Sequence, residues 1–197
     1  MKKKQKLVRL VMCALFSALI VVMTFAPNLG YITIIPNLIS ITTLHIVVIL
    51  GAAILGPSYG AFLGTVWGTL CLIKAFMEPI LINLPFQNPL VSVLPRILVG
   101  LVAGLIVKAL LKTKLPRAIS IGIASAAGTL TNTGLVVLTL WLTDGLGVYL
   151  NGSAATLKNI YTALIGLNGI AELIVAILLI PAVYMATEKI FAKQLKK

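Results

Sequence analysis

The sequence is poor in acidic residues and in charge of either sign. Of its 197 residues, 4 are Asp or Glu and 16 are Lys or Arg, so 10% of the chain is charged, whereas soluble domains carry roughly 25%. This supply is too small to cover a water-facing surface, which excludes an ordinary soluble domain. The net charge of +12 does not indicate a nucleic-acid partner, because the basic residues are not interleaved with aromatic residues on a polar face.

Residues that carry catalysis or bind metals are scarce as well. Cys13 and Cys71 lie in apolar runs without a CxxC spacing, and His45 is the single histidine, which we interpret as an interface residue. No glycine is followed by lysine, so the GxxxxGK[ST] phosphate loop is absent, as are HExxH and GxSxG. We predict no metal site, no cofactor and no catalytic residue, so the chain is not expected to be an enzyme.

Apolar runs, by contrast, fill most of the chain, which is 60% hydrophobic. Crossing a hydrocarbon core of roughly 30 Å takes about 20 apolar residues in a helix. The sequence therefore predicts an all-α fold, a single transmembrane domain (1–197) of six helices, the second of them short. The predicted spans are Leu7–Ala26, Ile41–Leu55, Tyr59–Phe76, Leu90–Leu111, Ala118–Leu142 and Thr162–Ile190.

The lysines and arginines predict the orientation of these spans. They gather in three segments, at residues 2–9, 108–117 and 189–197. With six spans, all three segments lie on one side of the membrane, which the positive-inside rule makes cytoplasmic. Both termini are therefore predicted to be cytoplasmic.

Two connections on the predicted outer side are unusually apolar for loops. Pro27–Ser40 has no charged residue and contains Tyr31, and Glu78–Pro89 contains three prolines and Phe86. We expect both segments to fold back over the helix bundle as a lid above a ligand. The alternative is that they lie among lipid headgroups, where aromatic residues are also common. Lys74 and Glu78, four residues apart, are interpreted as an interfacial ion pair of little energetic weight.

Polar side chains interrupt the later spans at a few positions, and an ionisable group inside a span indicates a functional site. Arg96 shares a helix face with Ser92, Gly100 and Ala103, so it is expected to point toward protein. Its guanidinium matches a carboxylate through paired hydrogen bonds. An anionic group of a ligand is therefore its predicted partner.

Further polar residues lie at similar depth in the fifth and sixth spans, and an aromatic residue lies in the third. Asn132 and Thr129 share a stripe of the fifth span, whereas Asn168 and Glu172 are four residues apart in the sixth. Trp67 of the third span is a candidate wall of the site. Two interpretations stay open, a small-molecule site and a buried Arg96–Glu172 ion pair, and both hold if the pair opens when ligand binds.

Small residues recur at a spacing of four, which lets helices approach closely in lipid. Two glycine series, Gly60, Gly64 and Gly68 in the third span and Gly100 and Gly104 in the fourth, predict internal helix packing. Ala14 and Ala18 in the first span allow either internal packing or an outward surface that docks onto a partner.

Five short motifs follow one another along the chain in a recognisable order. They are Ala14–Ala18, Leu55–Ala61, Leu94–Gly100, Leu130–Thr133 and Asn168–Glu172. In this order, and with six spans, the chain resembles the substrate-binding S components of energy-coupling factor (ECF) vitamin transporters. Within that family it is most similar to the pantothenate-specific members.

This resemblance implies a function and partners that composition alone does not indicate. Family members lie in the plasma membrane of prokaryotes and bind a vitamin at the outer side, between the later spans and the outer loops. They dock through the small residues of the first span, here Ala14 and Ala18, onto a membrane scaffold subunit that carries two ATPases. The bound S component is thought to topple in the bilayer, carrying the vitamin inward.

For pantothenate, the chemistry of the candidate residues fits. The carboxylate suits Arg96, and the amide and hydroxyls suit Asn132 and Asn168. Trp67 is suited to cover the gem-dimethyl group, and Thr129, Tyr31 and Phe86 complete the predicted site. Glu172 fits an anionic ligand less well, which leaves a pyridoxine-like vitamin, hydroxymethylpyrimidine or riboflavin as alternatives, and a small membrane lipid enzyme as an alternative of another class.

Overall fold

The computed structural model describes residues 2–35, 39–79, 83–143 and 154–196. Most of them are helical, as predicted. The helices are α1 (Lys2–Phe25), α2 (Leu44–Leu55), α3 (Pro57–Met77), α4 (Pro89–Ser92), α5 (Leu94–Leu110), α6 (Arg117–Leu142) and α7 (Ala154–Lys196). A 3-10 turn, Leu84–Gln87, precedes α4, and β1 (Tyr31–Ile35) pairs with β2 (Ile39–Thr42) in an antiparallel hairpin.

Among the described residues, five helical segments are long and apolar enough to cross a membrane, and α4 and α5 together form one of them. The sixth apolar helix, α2, has only 12 residues, about 18 Å at 1.5 Å per residue. Most of its side chains are buried, so α2 lies within the bundle rather than facing lipid along its length. The predicted all-α membrane bundle with a short second helix is confirmed.

Glycine allows α3 and α5 to pack backbone against backbone. A Cβ built on Gly60 would overlap the carbonyl of Gly100, and one built on Gly64 would overlap the carbonyl of Arg96. At one end of the pair, Gly104 lies equally close to Pro57. The predicted role of both glycine series in internal packing is therefore confirmed.

Contacts between helix ends show that the basic segments share one end of the bundle. The Lys74 Nζ of α3 donates to the Thr24 carbonyl of α1 at 3.3 Å, so α1 and α3 run parallel. Gly104 near the end of α5 packs on Pro57 at the start of α3, and Arg117 of α6 pairs with Glu188 of α7. We call this the basic end and the opposite one the site end. The membrane side that each faces stays a prediction.

The hairpin at the site end was not predicted, although the expectation that residues 27–40 fold back onto the bundle is confirmed for the described part. Tyr31 pairs across the hairpin with Thr42. Gly30, at its base, packs so tightly on α1 that a Cβ would overlap the Met23 carbonyl. The second connection also folds back, since the side-chain amide of Gln87 donates to the Ala75 carbonyl at 3.0 Å.

Candidate functional site

The site is built around Arg96, which is only 5% exposed. Pro95 has no N–H, and its ring also excludes the carbonyl four residues earlier, which is that of Val91. The helix is interrupted here, between α4 and α5. The free Val91 carbonyl accepts a hydrogen bond of 2.7 Å from Arg96 Nη1, so the proline creates the acceptor that orients the guanidinium.

Two aromatic rings lie on the Arg96 guanidinium. Its Cζ is 5.1 Å from the ring centroid of Trp67 and 5.2 Å from that of Phe86, both within the range of cation–π attraction. Trp67 comes from α3 and is fully buried. Phe86 comes from the 3-10 turn, and its carbonyl accepts a hydrogen bond from the Ser92 hydroxyl. Three separate segments therefore hold one cation between two ring faces.

The alternative interpretation of a buried Arg96–Glu172 ion pair is wrong. Across the described segments, ion pairs join Lys74 to Glu78 and Arg117 to Glu188, and none involves Arg96. Glu172 Oε1 instead accepts a hydrogen bond of 2.7 Å from the backbone N–H of Thr42, at the end of β2. The two groups still interact electrostatically, but the carboxylate anchors the hairpin to α7 rather than binding the guanidinium.

Tyr31 brings the hairpin to the other side of the site. As the cross-strand partner of Thr42, it lies at the same level, and its hydroxyl is buried close to Trp67 and Cys71. Burial raises the pKa of the Tyr31 phenol above its ordinary value, so the group is a neutral hydrogen-bond donor. Among the described residues, this hydroxyl forms no hydrogen bond of good geometry.

Helix α6 contributes a polar stripe. Thr129 is fully buried and Asn132 is 5% exposed, and their spacing puts both on one face of the helix. On the same face, one turn beyond Asn132, Val136 packs with Val91 of α4. The stripe therefore leads toward the carbonyl that binds Arg96.

Helix α7 approaches α6 near the two predicted residues of the sixth span. Gly169 is so close to Thr133 that a Cβ would meet its side chain at 2.7 Å. The preceding residue, Asn168, is half-buried and has an interaction partner of its own. Glu172 lies one turn further along and is 5% exposed.

His45 was interpreted from the sequence as an interface residue, and that interpretation is wrong. It is fully buried at the start of α2, with its ring near the backbones of Thr42 and Glu172. This position could not be predicted from the sequence, because it depends on the shortness of α2 and on the hairpin beside it. Neither ring nitrogen has a hydrogen-bond partner among the described residues.

Buried polar atoms without protein partners concentrate in this region. More than nine in ten buried polar groups in proteins are hydrogen-bonded, so such a concentration indicates a binding site. Within the described segments the unpartnered atoms are Tyr31 Oη, His45 Nδ1 and Nε2, Trp67 Nε1, Arg96 Nε, Thr129 Oγ1 and Asn132 Oδ1. Together they offer one cation, neutral donors and acceptors beside aromatic walls.

Ala14 and Ala18 lie on the outer surface of α1. Both are exposed, as are Leu15 and Leu19 beside them. The interpretation of the alanine pair as internal packing is therefore wrong for this chain. An outward docking surface remains the prediction for these two residues.

Comparison with known proteins agrees with this architecture. Residues 8–185 match the model of the family described as "ECF transporter, substrate-specific component". The chain is 35% identical to a pantothenate transporter, PanT, of Leuconostoc mesenteroides subsp. mesenteroides over 88% of this chain and 89% of the relative. It is 31% identical to a pantothenic acid transporter, PanT, of Lactococcus lactis subsp. cremoris over 95% of this chain and 97% of that relative.

The family match covers most of the chain, and each relative is matched over nearly its full length. A multi-pass membrane bundle with a buried polar site is the architecture expected of a subunit that binds a small molecule in a membrane. The role is therefore transport rather than catalysis, with ATP hydrolysis carried out by partner subunits. The chain belongs to the substrate-specific components of ECF transporters.

Proposed function

We propose that this protein binds pantothenate at the site end of the bundle, which faces outward, as the substrate-binding subunit of an ATP-driven importer. The observation that carries the proposal is the buried Arg96 guanidinium, which lies over the rings of Trp67 and Phe86 and has no carboxylate partner among the residues that the structure describes. Both relatives named above are described as transporters of this vitamin.

The guanidinium explains the preference for an anion. Arg96 donates one hydrogen bond to the Val91 carbonyl, whereas a guanidinium has five N–H donors. A buried charge without a counter-ion costs free energy. A ligand carboxylate supplies the counter-charge and accepts charge-assisted hydrogen bonds, which are roughly twice as strong as neutral ones.

The rest of pantothenate is neutral, with one amide, two hydroxyls and a gem-dimethyl group. Tyr31 Oη and Trp67 Nε1 are available donors, and Asn132 Oδ1 is an available acceptor. Thr129 Oγ1 can act in either way, and Asn168 completes the polar set. The faces of Trp67 and Phe86 suit the gem-dimethyl group, because binding there removes apolar surface from water.

The structure weakens the argument for a cationic or donor-rich vitamin. That alternative rests on a ligand donor for the Glu172 carboxylate. The backbone N–H of Thr42 supplies one at 2.7 Å, so an anionic ligand no longer leaves the carboxylate without a hydrogen bond.

The transport cycle needs partners. We propose that Ala14 and Ala18, exposed on α1, dock onto a membrane scaffold subunit that carries two ATPases. Small side chains allow a partner helix to approach closely. The absence of a phosphate-binding loop from the sequence is consistent with an ATP site in the partners.

Calorimetry of the purified protein in detergent tests the ligand directly. Pantothenate, pyridoxine, riboflavin and hydroxymethylpyrimidine are titrated in turn after any co-purified ligand has been identified by mass spectrometry and removed. We expect saturable binding of pantothenate at one site and none of the other three. Binding of another vitamin in preference to pantothenate would refute the proposal.

A further inference from the structure

A second cation lies at the site end, at the edge of the site rather than in its centre. Most of the 16 lysines and arginines belong to the basic segments. Among the side chains described at the site end, the basic ones are Arg96 and Lys74. Arg96 is 5% exposed, whereas the side chain of Lys74 is 25% exposed and can therefore meet a ligand still in water.

Two aromatic residues connect the two cations. Lys74 Nζ lies 5.1 Å from the ring centroid of Tyr31. The buried end of Tyr31 lies beside Trp67, and the other cation, Arg96, lies over the Trp67 ring. From the edge inward, the order is therefore the Lys74 ammonium of α3, the Tyr31 phenol of β1, the Trp67 indole of α3 and the Arg96 guanidinium of α5.

We infer that Lys74 is a capture residue, which attracts the carboxylate of the ligand at the edge of the site before Arg96 binds it. This inference rests on the proposed function, because it applies to an anionic ligand. It gives Lys74 control of the association rate. From the sequence, Lys74 was interpreted only as part of an interfacial ion pair.

The contacts of Lys74 hold its ammonium in place without neutralising it. Nζ donates to the Thr24 carbonyl at 3.3 Å, in the last turn of α1, where the helix dipole favours a cation. Its pairing with Glu78 spans 3.7 Å, and the Glu78 side chain is 56% exposed. Such exposed pairs contribute little stability, so a ligand carboxylate can replace Glu78 beside the ammonium.

Tyr31 separates the two cations. Its ring faces Lys74, and its hydroxyl has no hydrogen-bond partner among the described residues. The residue belongs to the hairpin, which Glu172 fastens to α7 through Thr42. A carboxylate held at Lys74 therefore needs only to pass one side chain of the hairpin to reach the guanidinium.

Stopped-flow measurement of pantothenate association tests this role. The signal is Trp67 fluorescence in a Trp141→Phe background, recorded at low and high salt for the parent protein and for Lys74→Gln, Lys74→Arg and Glu78→Gln. Lys108→Gln is the matched control, because Lys108 is an exposed lysine near the basic end. Thermal unfolding of each variant in the same detergent checks that it is folded.

We expect Lys74→Gln to lower the association rate constant about three- to tenfold at low salt, since a charge beside a cleft raises the on-rate of an oppositely charged ligand. The difference should shrink at high salt, where the Debye length is short. Lys74→Arg should keep the parent rate, Glu78→Gln should raise it, and Lys108→Gln should leave it unchanged. The dissociation rate constant of Lys74→Gln should change much less than its association rate constant.

Pantothenol, the alcohol that lacks the carboxylate, distinguishes capture from a structural effect. Lys74→Gln should associate with pantothenol at the parent rate. Two results for Lys74→Gln would overturn the capture role while leaving the proposed function intact. One is that its association with pantothenate and with pantothenol is slowed equally. The other is that its association with pantothenate has the same rate constant and the same salt dependence as that of the parent protein. If the parent protein binds no pantothenate at all, the proposed function itself fails.

Discussion

The Arg96 guanidinium lies over the indole of Trp67, with its Cζ 5.1 Å from the ring centroid, and this contact joins the packing of the bundle to its site. One turn from Trp67, Gly64 lies against the backbone carbonyl of Arg96. The glycine therefore sets the separation of α3 and α5 at the level where the guanidinium meets the ring. A change in helix packing at this point changes the site as well.

Gly64→Ala tests that connection. The added methyl would overlap the Arg96 carbonyl, and overpacking of this kind costs about 1–3 kcal/mol. We expect lower thermal stability in detergent and weaker pantothenate binding. Gly134→Ala is the matched control, because a Cβ there has nothing within 4 Å. Equal stability and affinity of the two variants would contradict the account of the α3–α5 contact.

Tryptophan fluorescence reports on the site separately from the rest of the molecule. The chain has 2 tryptophans, and only Trp67 lies beside Arg96, since Trp141 is an exposed residue at the end of α6. We expect Trp141→Phe to retain the change in fluorescence on adding pantothenate and Trp67→Phe to lose it. A signal that follows Trp141 instead would place the ligand elsewhere.

Glu172 is expected to act through its hydrogen bond to Thr42 rather than through its charge. Glu172→Gln keeps an oxygen acceptor for the backbone N–H, so pantothenate affinity should be unchanged or higher. Glu172→Ala removes the acceptor and loosens the hairpin, which should weaken binding by about tenfold, the value of one hydrogen bond of this type. Calorimetry distinguishes the two. A large loss in Glu172→Gln would mean that the charge itself binds the ligand.

The docking proposal predicts variants that bind ligand but fail to assemble. Ala14→Trp and Ala18→Trp replace small exposed residues on α1 with bulky ones, so they should block co-purification with the scaffold subunit while leaving pantothenate affinity unchanged. Leu19→Trp is the control, because Leu19 is exposed on the neighbouring face of α1. Normal assembly of both alanine variants would rule out this docking surface.

The spans and the main polar residues could be predicted from the sequence for a physical reason. A charged or amide side chain in a long apolar run is expensive in hydrocarbon, so Arg96, Asn132 and Glu172 were recognisable without coordinates. The interruption between α4 and α5 was not predicted, because the sequence was interpreted as one continuous span, Leu90–Leu111, although Pro95 excludes the Val91 carbonyl.

The partners of these residues could not be predicted, because they depend on tertiary contacts. Thr42 and Glu172 are 130 positions apart, and nothing in the local pattern of either indicates the other. The hairpin escaped prediction because its strands have only five and four residues, too few for a pattern to stand out from the apolar segments around them. Without the hairpin, Glu172 had no evident partner except Arg96, so the ion pair stayed open as an alternative that the structure contradicts.

The central claim is that Arg96 binds the ligand's carboxylate. Calorimetric titration of pantothenate and pantothenol into the parent protein and into Arg96→Gln tests it most directly, with Arg117→Gln at the basic end as the control. We predict that Arg96→Gln loses at least about 100-fold in affinity for pantothenate, in line with the loss of a buried charge-assisted pair, and binds both compounds equally weakly. Undiminished preference of Arg96→Gln for pantothenate over pantothenol would contradict it.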